Sequence, residues 1–239
     1  MFSRTGGHSD INQEVLFHCE LIVLISVKKN LHENDIVHEV QALKNASKLC
    51  RCVDNSRKKL RGPFLALVAM DAFEKKEKTT DIAANLIKDG DTIYLDSGST
   101  CSILFKKILG KKITIYTSNT DIFSVSGEIL AEVIILGGKF NPMNSSLSGS
   151  LTENLLKNLY FNKSFLGANG IDEKLGVTTP TIEEANKKRL VEEHSDQVYL
   201  VCDSSKFHNL SNVKAFDLKD VAIVSDKTDD KISEKVSLI

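Results

Sequence analysis

The sequence predicts an α/β fold: a mostly parallel, Rossmann-like sheet with helices on both faces, preceded by a small, mainly helical domain. Two observations carry this. From Asp81 onward, runs of about five apolar, β-rich residues alternate with helical stretches, the pattern of βαβ units. Residues 1–80 lack that rhythm and space their apolar residues helically, in INQEVLFHCELIVLI and DIVHEVQALKNASKL. The 239 residues suffice for one large α/β domain and a small companion.

The elements follow in order. DIAANLIKDGD places Ile82, Ala83, Leu86 and Ile87 on one helix face, with Gly90 as its stop. TIYLD (92–96) is the first strand and leads into a helix over STCSILFKKIL. KITIYT (112–117) is the second, with a helix expected over NTDIFSVSGEIL. EVIILGG (132–138) and KSFLGANG (163–170) are the third and fourth. A helix over IEEANKKRLVEEH precedes QVYLVCDSSK (197–206) and then VAIVSD (221–226). Upstream, FEKKEKTT reads as a linker or an exposed helix. The expected domains are therefore 1–62 and 81–239, joined by a linker at 63–80.

Composition bounds the function. At 41% apolar and 26% charged residues, the chain matches a globular protein and not a disordered one. Its 31 Lys and Arg nearly cancel its 32 Asp and Glu, which argues against nucleic acid until the chain is divided. Residues 1–80 carry 13 basic and 10 acidic residues, and the remainder 18 and 22, so a mildly basic module precedes an acidic domain. Five cysteines without a CxxC pair fit reduced thiols; neither a disulfide framework nor a metal site is expected, and no cofactor. Val15–Val27 is too short and too polar to span a bilayer, and no signal peptide is evident, so a cytoplasmic protein without membrane partners is expected.

Candidate chemistry gathers at the strand ends. In open parallel sheets, ligands bind beyond the carboxyl ends of the strands. The first strand ends in Asp96, Ser97, Gly98, Ser99 and Thr100, just where a helix starts. Small residues at a helix N-terminus suit a phosphate; equally, Ser99 or Thr100 can simply cap the helix. The second strand ends in Thr117, Ser118 and Asn119, and the third in Gly137 and Gly138, a pair that demands close backbone approach or positive φ. The fourth ends in Gly167, Ala168, Asn169, Gly170, Ile171 and Asp172, the fifth in Asp203, Ser204, Ser205 and Lys206. Together these describe a pocket for a small, hydroxyl-rich anion such as a sugar phosphate. Glu184 and Lys188, four residues apart, either form a solvated helical salt pair or belong to that pocket.

Taken as a set, DGDTIYLDSGST, TSN, VIILGGK, FLGANGID, GVTTP with EEANKKR, and VCDSSKF resemble the effector-binding domain of DeoR-family transcriptional regulators across about 81–226. The resemblance implies a fold like that of ribose-5-phosphate isomerase and a phosphorylated sugar as effector. It implies that Asp96 to Thr100 form the phosphate-side loop, that Asn169, Gly170 and Asp172 line the sugar side, and that Lys206 contacts phosphate. It also implies an N-terminal winged helix-turn-helix reading operator DNA, in a homo-oligomer. Here the family's TIRRDL-like recognition core reads Asp35-Ile36-Val37-His38-Glu39-Val40, and its HGGA reads Val53-Asp54-Asn55-Ser56. The two arginines become Val37 and His38, so the helix is degenerate for phosphate and base contacts. Asp35, His38, Gln41, Lys44, Arg51, Arg57, Lys58 and Lys59 are the DNA-contact candidates; a solvated basic linker is the other reading of 57–61.

The expectation is a DeoR-type regulator, a repressor, that responds to a phosphorylated sugar. Two alternatives stand beside it: a sugar-phosphate isomerase using Asp96, Asp172, Glu184 and Lys206 for proton transfer, and a sugar-phosphate-binding protein that has lost DNA binding.

Overall fold

The computed structural model describes residues 62–239. The helix-turn-helix expected within residues 1–62 and every candidate DNA contact, from Asp35 to Lys59, lie outside the described residues. The chain divides into two compact units, residues 1–73 and 74–239. Helix α1 (Gly62–Asn85) runs without a break through the segment expected to be a linker. Ile82 and Ala83 thus belong to the last turn of a long helix, and Leu86 and Ile87 to the turn after it. Ala83 and Ile87 are buried, and Gly90 reverses the chain at φ 89°.

The 74–239 unit is built on a seven-stranded sheet in which every pairing is parallel. Its strands are β1 (Thr92–Leu95), β2 (Thr114–Thr117), β3 (Glu132–Ile135), β6 (Phe161–Leu166), β9 (Ser195–Val201), β11 (Ala222–Val224) and β12 (Ser237–Leu238), in the order β12-β11-β9-β6-β1-β2-β3. Six of the seven strands were expected. They are short apolar runs because the sheet is covered on both faces. Ile93 and Leu95 of β1 pack in one core with Phe165, Ile115 and Val224, whereas Tyr94 points into the other with Leu166, Leu200 and Ile223. Helix α2 (Ser99–Ile108) seals the first core through Cys101, Leu104, Phe105 and Ile108, an i, i+3, i+4, i+7 stripe. Ala185 and Val191 of helix α4 (Ile182–Glu193) join the second, with Leu156 of α3 (Ser150–Leu156).

Two departures bear on the site. NTDIFSVSGEIL forms only a 3₁₀ turn, Thr120–Ser124. The Asn119 side chain accepts from the Asp121 N–H and Ser124 Oγ donates to the Asp121 carbonyl, so side chains compete for the helix's backbone partners. Short polar strands make two further sheets that periodicity did not mark: a hairpin of β4 (Lys139–Asn141) and β5 (Ser146–Ser148), and a three-stranded antiparallel sheet of β7 (Gly170–Asp172), β8 (Gly176–Thr179) and β10 (Val213–Phe216). Among the described residues, no helix is long and apolar enough to cross a membrane.

The hairpin seats closely on Gly138. A Cβ there would lie 2.1 Å from Thr152 Oγ1 and 2.8 Å from the Ser148 carbonyl oxygen. Gly138→Ala is therefore expected to cost about 1–3 kcal/mol, read as a lowered urea midpoint at constant slope.

Candidate functional site

A cavity of about 530 Å³ opens beyond the carboxyl ends of β1, β6 and β9, within the 74–239 unit. Its walls include Ser97, Gly98, Ser99 and Thr100 from the β1 end, Asn169 from the β6 end and Lys206 from the β9 end. Glu184 and Lys188 enter from α4, and Asn141, Met143 and Asn144 from the β4–β5 hairpin. Nothing in the two-residue-repeat or helical periodicity marks that hairpin, which explains why its residues were not expected.

In the β1–α2 loop neither Ser99 nor Thr100 caps the helix. Gly98 holds φ 102° at the start of α2, and no side chain caps the helix. Ser99 Oγ instead accepts from Lys76 Nζ of α1 at 2.8 Å. The N–H groups of the first turn of α2 therefore lack a side-chain partner and border the cavity, as an anion site requires. Lys76 was hidden in FEKKEKTT, where a charge run reads as solvated surface.

Asp96 lies beneath this loop and does not itself line the cavity. Its carboxylate is buried between two α4 ammoniums: Lys188 Nζ donates to Oδ2, and Lys187 Nζ lies 3.4 Å from Oδ1. Burial pushes the carboxyl up, but Lys188 and Lys187 outweigh it and hold the pKa at about 2. Lys188 also donates to the Gly167 carbonyl at 2.7 Å. Lys187 donates to Ser118 and Ser146 hydroxyls at 2.9 Å each, and burial lowers its pKa.

Glu184 and Lys188 thus make no salt pair with each other. Glu184 accepts from Thr179 Oγ1 and from Asn144 Nδ2, both at 2.6 Å, which fixes its carboxylate at the cavity wall. Thr181 caps α4 by accepting from the Glu184 N–H at 3.3 Å. Lys206 closes a 3₁₀ turn, Ser204–Lys206, capped by Asp203 and tied by Ser204 to Asp226.

Four candidates stand elsewhere. Asn119 is a buried strut, donating to Ser102 Oγ at 2.9 Å. Gly138 packs under the hairpin. Gly170 is needed because a Cβ would lie 2.2 Å from the Asn209 carbonyl oxygen. Asp172 forms the β7–β8 turn, accepting from the Lys174 and Leu175 N–H groups at 2.9 Å each. Cys101 and Cys202 are free, buried thiols at the cavity wall; burial raises both, Cys202 to about 12, so neither is a ready nucleophile.

Comparison with known proteins assigns the architecture. The model of the DeoR C terminal sensor domain matches residues 71–227. The chain belongs to the DeoR family. The lactose phosphotransferase system repressor of Staphylococcus epidermidis is 32% identical over 167 residues, 68% of this chain and 66% of the relative. The chain thus matches just under two thirds of that relative's length. An uncharacterized HTH-type transcriptional regulator of Bacillus subtilis, YulB, is 29% identical over 209 residues, 85% of this chain and 81% of the relative. Among solved structures, a translation initiation factor eIF-2B of Pyrococcus horikoshii shares the fold at TM-score 0.50 and 16% identity, covering 94% of this chain and 91% of that one.

Removing Asp96 would leave two buried ammoniums without their shared carboxylate. Asp96→Asn is expected to destabilise by about 3–5 kcal/mol at pH 7 in urea unfolding. Because the folded pKa is depressed, the parent's Asp96 stabilisation is complete above 3.8 and is lost as pH falls toward about 2. That acid-sensitive component, about 2 kcal/mol, should be missing from the variant's pH profile.

Proposed function

We propose that this DeoR-family chain is a transcriptional repressor whose 74–239 unit binds a phosphorylated sugar and thereby alters operator binding. The observation that carries the reading is the cavity's charge arrangement. Lys76, Lys188 and Lys206 and the uncapped end of α2 face one space, and Lys188's charge is already matched by Asp96. The surplus cations suit a phosphate, and Glu184, Asn144 and Asn169 suit the hydroxyls of a sugar. The names of the relatives support the regulatory half, since they are called repressors and HTH-type regulators.

Ligand binding acts on DNA only through a difference in affinity between DNA-competent and incompetent states. Palindromic operators would be read by a symmetric oligomer, with residues 1–62 as the reader. With Val37 and His38 in place of arginines, DNA affinity should rest on non-specific phosphate contacts and fall steeply with salt. A mobility shift on the region upstream of its own gene, at two salt concentrations, tests this; no retention at low salt selects the reading as a binding protein without DNA.

Against an isomerase count the roles of its proposed acid–base groups. Asp96 is held ionised by two lysines, and Asp172 is engaged in a turn away from the cavity. Ribose 5-phosphate turnover above buffer would reverse this ranking. Calorimetry with a panel of sugar phosphates addresses the cavity directly. Lys206→Ala should weaken binding about 10-fold or more; an affinity equal to the parent's would refute the pocket.

A further inference from the structure

We infer that Lys76 completes the phosphate seat, so that α1 forms a wall of the ligand site and ligand occupancy tightens its hold on the sheet. This rests on the phosphate reading above and adds a residue and a consequence to it.

The geometry begins with helical placement. In α1, Thr79 and Thr80 are fully buried and spend their hydroxyls on carbonyls of the preceding turn. That fixes the face of α1 turned to the sheet unit. Lys76 lies one turn before Thr80, and its ammonium reaches Ser99 Oγ at the start of α2. Lys78 Nζ donates to the Asp226 carbonyl at 2.9 Å, and Glu77 and Asp81 pair with Lys107 at 2.7 and 2.6 Å. Those three attachments end away from the cavity, whereas that of Lys76 ends on its wall.

The electrostatics favour an anion at this spot. Lys76 is partly buried, attracted by Asp203 and repelled by Lys206, and burial lowers its pKa. Asp203 is itself engaged by the N–H and hydroxyl of Ser205. Lys76 thus faces a second ammonium, with only an already engaged carboxylate to offset it. A phosphate dianion between Ser99, Lys206 and Lys76 compensates both cations, and Ser99 Oγ, which accepts from Lys76, keeps its own hydrogen to donate to a phosphoryl oxygen. The ligand then adds an attachment for residues 74–85, in the helix that runs back to Gly62.

The test uses the full chain with inorganic phosphate and ribose 5-phosphate as probes. Calorimetry of the parent, Lys76→Met, Lys76→Arg and the surface control Lys174→Met gives affinities; hydrogen exchange of residues 74–85 with and without ribose 5-phosphate gives the second readout. The expected result is phosphate binding about 10- to 100-fold weaker in Lys76→Met, largely restored in Lys76→Arg and unchanged in the control. Ligand should slow exchange over 74–85 in the parent and not in ligand-saturated Lys76→Met. If the parent binds and Lys76→Met matches it within about twofold, the role of Lys76 is overturned while the pocket stands. If the parent binds neither probe, the phosphate reading itself falls, and Lys76 with it.

Discussion

The buried ion cluster of Asp96, Lys187 and Lys188 is the contact on which the candidate site depends. Two ammoniums and one carboxylate are withdrawn from water at the end of β1, which is costly unless each is satisfied. Lys187 is served by two serine hydroxyls, one from the end of β2 and one from the β4–β5 hairpin. Lys188 is served by Asp96 and the Gly167 carbonyl at the end of β6. One pair of adjacent lysines on α4 thereby joins four separate elements and sets the distance between the β1 loop and the helix bearing Glu184.

That arrangement separates support from recognition. Asp96 looks like a ligand residue in sequence, yet its charge is consumed by the lysines beneath the loop. In the proposed reading its effect on a ligand is indirect: its contacts with α4 hold the end of β1 beneath Ser97 to Thr100. Recognition, in that proposed reading, falls instead to the cavity groups of α1, α4 and the β9 loop. On the same proposed reading, a ligand bound in a cavity assembled from such distant segments changes how those segments hold together.

The sheet was legible because its physics is local. A strand buried on both faces needs an unbroken apolar run, and TIYL, TIY, EVII, SFL, VYLV and AIV all show one. Helix α2 was legible from its apolar stripe. The β4–β5 hairpin and the β7–β8–β10 sheet were not, since strands of three or four residues that mix glycine, polar and apolar positions carry no periodic signal. The expected helix after β2 failed where Asn119, Ser124 and Gly127 favour turns. The family resemblance sets Gly170 and Asp172 beside Asn169 on the sugar side, whereas a tight antiparallel turn carries both away from the cavity.

By itself, the sequence determined the alternating α/β order, the strand ends at which a ligand would meet the sheet, and the family motifs that name the domain. Each of these depends on neighbours within a few residues. Tertiary structure alone decided that Glu184 and Lys188 ignore each other, that Lys187 is buried as a structural cation, and that Lys76 reaches the β1 loop from 23 residues away. These are charge pairings across separate elements. Their partners are chosen by which groups folding brings within hydrogen-bond reach in a low-dielectric interior, and no local pattern encodes that distance.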